Sequence, residues 1–243
     1  MFETLIRDRL SVIERYVQHG DVLDLGCVDA RPEREDAGTR LERKPDVLFR
    51  RIVEINPNTL GVDIDEEGVR VLREMGYRVE YGDVETMDLD RRFDTIVAGE
   101  IIEHLENPGL FLRNIRRHLK SGGAIILSTP NPFYNGQTWK IWRYGEPAVH
   151  EGHLGWQDPV TLNQLLHRTG FEILEGFWVQ PAGWGFKAWK RLLRKYFAHS
   201  FLVVARLIQD DQTAEQCDEL AAHSPASERT SPHIDSGRCP SAA

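Results

Sequence analysis

Short apolar segments that each carry or precede an acidic residue recur along the chain, with helix-like stretches between them. Asp24 lies within the first segment and Asp63 ends the second, while Asp83 and Glu100 follow the third and the fourth. Between the second and third segments, apolar residues recur at helical spacing over 65–75. Strands that alternate with helices in this way form a largely parallel sheet covered on both faces. Ligands of such sheets lie beyond the carboxyl ends of the strands, so these acids are candidates for a binding site.

The same rhythm continues through a predicted domain at 1–208. Strands are expected at 22–26, 59–63, 77–81, 93–98, 123–129, 171–179 and 200–207, and helices at 2–18, 45–55, 65–75, 108–119, 158–169 and 184–197. These assignments predict a mostly parallel sheet of seven strands, and the last strand is a candidate for antiparallel insertion. Residues 28–44 are rich in charges and turn formers, which indicates an irregular loop. Apolar residues become rare over 209–243, where we expect a disordered tail.

The composition argues against several classes of protein. The formal net charge is −8, which makes nucleic acid an unexpected partner, since its binding usually needs clustered positive charge. The three cysteines, Cys27, Cys217 and Cys239, form no C-x-x-C pair, so neither a zinc ribbon nor a disulfide framework is indicated. Residues 1–10 mix charged and apolar side chains, unlike a signal peptide, and no apolar run approaches the ~20 residues of a membrane span. We therefore expect a cytoplasmic protein, and its oligomeric state is left open.

The order of the motifs resembles that of class I S-adenosylmethionine-dependent methyltransferases over about residues 20–180. The matching segments, in chain order, are Val22-Leu23-Asp24-Leu25-Gly26-Cys27, Gly61-Val62-Asp63, Gly82-Asp83, Phe93-Asp94-Thr95-Ile96-Val97 and Leu119-Lys120-Ser121-Gly122-Gly123. The resemblance implies a Rossmann-like α/β fold and S-adenosylmethionine as the cofactor. One departure lies in the glycine loop, D-x-G-x-G-x-G in the family, where Val28 and Ala30 replace the second and third glycines. No G-x-G-x-x-G follows the first strand, which disfavours a nicotinamide dehydrogenase.

Each expected contact with this cofactor has a physical reason. A glycine after the first strand, Gly26, lets the backbone approach a ligand, and the resemblance places Asp24 and Gly26 near the methionine end. A carboxylate at the end of the second strand, Asp63, can accept both ribose hydroxyls, and Asp83 can accept from the adenine amino group. The predicted cofactor set is Asp24, Gly26, Cys27, Asp63, Ile64, Asp83, Val84 and Glu100. The structural alternative is that the strand-end acids only cap nearby turns.

The segment after the fourth strand supplies the predicted acceptor side. Glu100, Glu103 and His104 have i, i+3 and i+4 spacing, so they can share one face. With His153 or His150 from a later loop they would form a Glu-Glu-His-His site for Mg²⁺, Mn²⁺ or Zn²⁺. The predicted metal ligands are Glu100, Glu103, His104 and His153. The catalytic candidates are His104, Glu103 and His153, with a histidine as general base if no metal binds. A purely structural role for Glu103 and His104 is the alternative.

This segment, together with Ser128-Thr129-Pro130-Asn131-Pro132-Phe133 and His150-Glu151-Gly152-His153, resembles methyltransferases of the ubiquinone-biosynthesis type and their glycan- and small-RNA-modifying relatives. In such relatives an E-x-x-E-H metal orients the acceptor hydroxyl. Aromatic residues cluster over 131–156, an acceptor or lid loop that either lines a ring-binding pocket or packs over the sheet. The helix at 184–197 is basic and aromatic. It could lie on an anionic membrane surface, touch RNA phosphates or pack on the sheet.

These features predict an enzyme that methylates an oxygen atom of a small or lipid-linked acceptor, either a quinone-type phenol or a sugar hydroxyl or carboxylate. Oxygen is favoured over nitrogen because the sequence Asn-Pro-Pro-Tyr, typical of amine methylation, is absent. A 2′-O-methyltransferase of RNA is the second enzyme hypothesis. A catalytically silent scaffold that binds S-adenosylmethionine is the hypothesis from another class.

Overall fold

The computed structural model describes residues 2, 4–28, 47–147, 149–180 and 197–208. Its strands are β1 (Thr4–Ile6), β2 (Val22–Leu25), β3 (Leu60–Asp63), β4 (Val79–Tyr81), β5 (Phe93–Gly99), β6 (Leu119–Pro130), β7 (Phe171–Val179) and β8 (Ser200–Leu207). Its helices are α1 (Leu10–Val17), α2 (Leu48–Ile55), α3 (Glu66–Glu74), α4 (Pro108–His118), α5 (Asn135–Tyr144) and α6 (Pro159–Arg168), and a 3-10 turn spans Ile102–His104.

One sheet holds the eight described strands in the order β1-β7-β8-β6-β5-β2-β3-β4. Every neighbouring pair is parallel except the two pairs of β8, which runs antiparallel to β6 and β7. The predicted Rossmann-like α/β fold with a mostly parallel sheet is confirmed, and the last strand does insert antiparallel. The predicted number of seven strands was one too few.

The additional strand is β1, in a region that we predicted as part of a helix over 2–18. Thr4 lies opposite Phe177 of β7 in parallel register. The helix α1 begins only at Leu10, whose amide donates to the carboxylate of Asp8 at 3.0 Å. Pairing with β7 therefore overrides the helical spacing of the first apolar residues, and the prediction of one continuous helix was wrong.

Apolar side chains fill both faces of the sheet. Along β5, Ile96 belongs to the core beneath α4 and α6, and its neighbour Val97 belongs to the core beneath α1 and α2. Successive residues of a strand point to opposite faces, so a strand buried on both sides needs apolar residues at consecutive positions. The near-continuous apolar segments of β2 and β5 meet this requirement.

The strand order places a crevice at the carboxyl end of β2. This strand lies between β5 and β3, so the chain first moves outward to β3 and β4 and later returns on the other side of β2. The loops that follow β2 and β5 consequently diverge and leave space above the sheet. The amide of Gly26 donates to the carbonyl of Val62 at 2.9 Å, which ties the first of these loops to β3.

Some other elements have bounds that differ from the predicted ones, and some predicted elements lie outside the described residues. α5 occupies the middle of the segment that we predicted as a loop over 131–156. β6 begins at Leu119, before the predicted strand over 123–129. The predicted helix at 184–197 (apart from Phe197), most of the loop at 28–44 and the tail at 209–243 lie outside the described residues. Among the described helices, none has the length and apolar character needed to cross a membrane.

Candidate active site

A cavity of about 620 Å³ opens at the carboxyl ends of β2, β3, β4 and β5, within the size range of small-molecule sites. We divide most of its lining into two halves. The strand-end half comprises Gly26, Asp63, Ile64, Gly82, Asp83 and Val84. The histidine half comprises Glu100, Ile101, Glu103, His104, Leu105, Glu106, His150, His153 and Leu154.

Asp63 is the best-supported side chain of the strand-end half. Its Oδ2 accepts the amide of Val28 at 2.8 Å, and its Oδ1 accepts the amide of Asp65 at 2.9 Å. Burial raises the pKa of the Asp63 carboxyl, and the amide donors oppose this effect. Each carboxylate oxygen has a second lone pair, so Asp63 can still accept two hydroxyl groups from a ligand.

The turn after β2 begins at Gly26 and continues through two buried residues, Cys27 and Val28. Gly26 has a φ of 75°, which favours glycine, and a Cβ there would lie 3.5 Å from Ile101, so a ligand can approach the backbone. Val28, which replaces a family glycine, is buried so tightly that a side chain at Gly68 would collide with it. Cys27 is also buried and does not line the cavity. Val28 is therefore held in place by apolar packing and by the hydrogen bond from its amide to the carboxylate of Asp63.

Arg9 is a cavity residue that our sequence reasoning missed. Its Nη1 donates to the Oγ of Ser128 at 3.1 Å and lies 3.4 Å from an oxygen of Glu100. Its charge also acts on Asp24. Burial raises the pKa of Asp24, the charge of Arg9 opposes this effect, and the net value is about 8. The Oδ1 atom of Asp24 is buried without a hydrogen-bond partner in the described part of the chain. Arg9 belongs to no motif, and only its position before α1 could have drawn attention to it.

The cavity lining is predominantly acidic. Among the described lining residues, Arg9 faces six acids, which are Asp63, Asp83, Glu85, Glu100, Glu103 and Glu106. Asp83 accepts the amide of Glu85 at 2.9 Å, which fixes its carboxylate at the end of the loop after β4. Fixed negative charges in a partly enclosed site attract a cationic ligand more strongly than the same charges do in open water.

Glu100 and Glu103 follow β5 but have different surroundings. Glu100 has a φ of 56°, a left-handed conformation that is rare for residues other than glycine and is often found at functional sites. Its amide donates to the carbonyl of Ser128 at 2.8 Å. Glu103 is buried, with Oε2 accepting from the hydroxyl of Thr129 at 3.0 Å and Oε1 unpartnered among the described residues. Burial raises the pKa of Glu103 to about 7.

Three histidines meet at the other end of the cavity. One ring nitrogen from each of His104, His150 and His153 lies within 4.8 Å of the others. Nδ1 of His104 donates to the carbonyl of Gly152 at 2.9 Å, which leaves Nε2 as an acceptor in the neutral ring. Desolvation by burial, together with the other two histidines, lowers the pKa of His153. The neutral form favoured for His153 suits an imidazole that accepts a proton or binds a metal.

The predicted site residues divide into those at the cavity and those beside it. Gly26, Asp63, Ile64, Asp83, Val84, Glu100, Glu103, His104 and His153 line the cavity, whereas Asp24 and Cys27 are buried outside its lining. The metal-like group among the described residues consists of three histidines and includes neither Glu100 nor Glu103. The aromatic residues at 131–156 do not line this cavity, so their predicted role in an acceptor pocket stays a prediction.

Comparison with known proteins identifies the family. A family model described as a methyltransferase domain matches residues 1–175. The ubiquinone biosynthesis O-methyltransferase of Rickettsia conorii is 30% identical over 132 residues, which cover 48% of this chain and 44% of that protein. A probable S-adenosylmethionine-dependent methyltransferase of Mycolicibacterium smegmatis is 29% identical over 156 residues, covering 63% and 52% of the two chains. The chain thus spans about half the length of these curated relatives.

Solved structures agree with this assignment at the level of the fold. The CcbJ methyltransferase from Streptomyces caelestis has a TM-score of 0.56 and 16% identity, with 84% of this chain and 89% of that chain covered. An S-adenosylmethionine-dependent methyltransferase from Archaeoglobus fulgidus has a TM-score of 0.55 and 20% identity, with 81% and 90% covered. Because the family model matches more than half of the chain, the chain belongs to the methyltransferase domain family, and its fold is the one that these methyltransferase structures share.

Proposed function

We propose that this enzyme transfers the methyl group of S-adenosylmethionine to an oxygen atom of a small or lipid-linked acceptor. A quinone-type phenol, a sugar hydroxyl and a carboxylate are the acceptor classes we consider. Support comes from curated relatives named ubiquinone biosynthesis O-methyltransferase. The observation that carries the proposal is the hydrogen bond from His104 Nδ1 to Gly152, because it leaves Nε2 as a proton acceptor in a ring that lines the cavity.

The residues of the strand-end half fit the proposed cofactor. S-adenosylmethionine supplies an electrophilic methyl group on a positively charged sulfur. Asp63 would accept the ribose hydroxyls and Asp83 the adenine amino group. The acidic lining favours a cation, so the charged cofactor gains more from this site than a neutral product does. Gly26 leaves the backbone open to the ligand, and the unpartnered Oδ1 of Asp24 is buried two residues before it.

The histidine half would hold and deprotonate the acceptor. In our proposal, Nε2 of His104 accepts the hydroxyl proton, and the carbonyl of Gly152 keeps the ring in the required tautomer. The carbonyl of Glu103 accepts the amides of Leu154 at 2.8 Å and Gly155 at 3.1 Å, which holds the loop bearing His153 against the 3-10 turn. Positioning of the two reactants supplies much of the rate enhancement in reactions of this type.

As the alternative to a general base at His104, we propose that a divalent metal binds the three histidines, because a metal at Nε2 of His104 would leave no atom there to accept a proton. The ring nitrogens are close enough to converge with small movements, whereas Glu100 pairs with Arg9 and Glu103 bonds Thr129. Imidazole ligands suit Zn²⁺ better than Mg²⁺, so this set differs from the Glu-Glu-His-His site that the sequence predicts. A metal here would act as a Lewis acid on the acceptor oxygen. Calorimetric titration with ZnCl₂ and with MgCl₂, without cofactor, tests the site, and H150A should abolish the zinc heat.

The central experiment measures S-adenosylhomocysteine formation with matched acceptors. Catechols, simple phenols, sugars and short RNA should be compared at equal concentration, each with calorimetric titration of S-adenosylhomocysteine as a binding control. Turnover with a phenol or a sugar supports the proposal. Turnover with RNA alone would establish the 2′-O-methyltransferase hypothesis instead. Failure to bind S-adenosylhomocysteine at all would favour the scaffold hypothesis, in which no acceptor is methylated.

A further inference from the structure

Large apolar side chains crowd the exposed surface of α5. We define the α5 patch as Trp139, Ile141, Trp142 and Tyr144, together with Lys140 and Arg143. Trp142 is 80% exposed and Tyr144 65% exposed. A soluble monomer rarely leaves several such side chains together in contact with water, so a contiguous patch of this kind usually marks an interaction surface.

The side chains of α5 remain at the surface of the described structure. No residue of α5 is buried, and none lines the cavity. Trp139 and Tyr144 contact each other edge to edge, at 6.2 Å between ring centroids. Among the described residues, α5 therefore neither packs into a core nor lines the cavity.

The charges on α5 indicate the kind of surface it fits. Lys140 and Arg143 are its charged residues, and the helix contains no acid, whereas the whole chain carries a net charge of −8. The guanidinium of Arg143 lies 5.4 Å from the centre of the Tyr144 ring. Tryptophan and tyrosine beside basic side chains are typical of helices at the boundary between lipid headgroups and acyl chains. The charge of this patch is complementary to an anionic surface.

We propose that the α5 patch docks on the surface of an anionic phospholipid bilayer. The side chain of Ile141 favours a bilayer over single-stranded nucleic acid as the partner, because it offers no ring on which a base could stack. The position of the patch gives the docking a purpose. The loop that follows α5 carries His153 and Leu154 to the cavity, and Leu154 is both 63% exposed and part of the lining. An acceptor with an apolar tail could then enter the histidine half from the bilayer.

Vesicle flotation tests this docking on the full chain. The probe is a phosphatidylcholine vesicle with about 30% phosphatidylglycerol, compared with pure phosphatidylcholine. The wild-type chain should float only with the anionic vesicles. W139S/W142S should weaken binding about tenfold or more through lost apolar burial. K140Q/R143Q should weaken it about tenfold at low salt and less at high salt, where charges are screened.

Leu174→Ser is the matched control, since Leu174 is an exposed apolar residue in the amino-terminal half of β7, at the other end of the sheet. Its vesicle binding should equal that of the wild type. Calorimetric binding of S-adenosylhomocysteine by every variant verifies the fold and keeps this test separate from the proposed O-methylation. Unchanged flotation of W139S/W142S, no flotation of the wild type, or a dimer that depends on these tryptophans would each overturn the proposal. Binding of single-stranded RNA in place of vesicles would overturn it as well.

Discussion

The two halves of the cavity are held in different ways. In the strand-end half, Asp63 stands at the end of a buried strand and two backbone amides fix its carboxylate. In the histidine half, His104 lies in a single 3-10 turn, and His153 lies on a loop. That loop is held by the hydrogen bond from His104 to the carbonyl of Gly152 and by two loop amides that donate to the carbonyl of Glu103. The sheet itself can therefore define the position that we propose for the cofactor, while the position that we propose for the acceptor depends on a loop that can change without loss of the fold.

Glu103 links the two halves to each other. Its carbonyl holds the histidine loop, and its side chain is buried against Thr129 of β6. The loop is therefore connected to the same sheet that positions Asp63. Substitutions in the histidine half should alter turnover more than cofactor binding, and substitutions in the strand-end half should do the reverse.

The largest effect is expected for His104→Ala. Loss of a proton acceptor at the acceptor position should reduce turnover about a thousandfold, with the affinity for S-adenosylhomocysteine unchanged. Steady-state kinetics and calorimetry measure the two quantities separately. His150→Ala sharpens the comparison, because the exposed His150 should be dispensable for a base at His104 and required for a three-histidine metal site. Full activity of His104→Ala would contradict both roles.

Asp63→Asn should produce the reverse pattern. An asparagine has one acceptor oxygen, so its amide group would face the N–H of Val28 or Asp65 and lose a ribose contact. We expect the dissociation constant of S-adenosylhomocysteine to rise about a hundredfold. Asp65→Asn is the control, because Asp65 caps α3 and asparagine caps helices equally well. Equal affinities of the two variants would remove Asp63 from ribose binding.

The predictability of the strand-end half follows from its physical origin. β2, β3 and β5 are apolar at consecutive positions, and each is followed by a glycine or an acid near its end, so both the fold and the place of Asp63 and Asp83 could be read from local sequence. The strand β1 could not, because Thr4–Ile6 is extended only through its pairing with β7, far away in sequence. Long-range pairing leaves no periodic signal in three residues.

The sequence identified most residues of the histidine half, but it did not predict which of their side chains lie together. The E-x-x-E-H spacing suggested one shared face for Glu100, Glu103 and His104. In the structure, Glu100 pairs with Arg9, Glu103 accepts from Thr129, and His104 groups with two other histidines. Arg9 was not found because its contact with Glu100 spans the chain from α1 to β5. Such contacts depend on tertiary structure and on backbone conformations that residue spacing does not encode.

Asp24→Asn tests the electrostatic cost of the strand-end half. Asp24 has a pKa of about 8 in the folded chain against 3.8 when unperturbed, chiefly through burial. Between these values the folded chain holds a proton that the unfolded chain has released, so the stability of the wild type falls as pH rises through this window. The asparagine variant escapes this loss. Its free energy of unfolding should match that of the wild type near pH 4 and exceed it by up to about 5 kcal/mol near pH 9, at about 1.4 kcal/mol for each pKa unit. Urea denaturation at both pH values measures the difference, and a difference that does not depend on pH would contradict the buried-acid account.

Arg9→Gln should have the smallest effect and separates the ends of the cofactor. Arg9 is the arginine among the described lining residues, so it is the natural partner for the carboxylate of the methionine end. Its loss should weaken S-adenosylhomocysteine about tenfold, since hydrogen bonds to charged groups contribute about 1.5 kcal/mol or more. Adenosine lacks that carboxylate, and its affinity should stay the same. Arg7→Gln is the control, because Arg7 is exposed and outside the cavity lining. An equal loss of affinity for S-adenosylhomocysteine and for adenosine would mean that Arg9 only holds Glu100 and Ser128 in place. Arg9 would then support the structure between the two halves and would not contact the ligand.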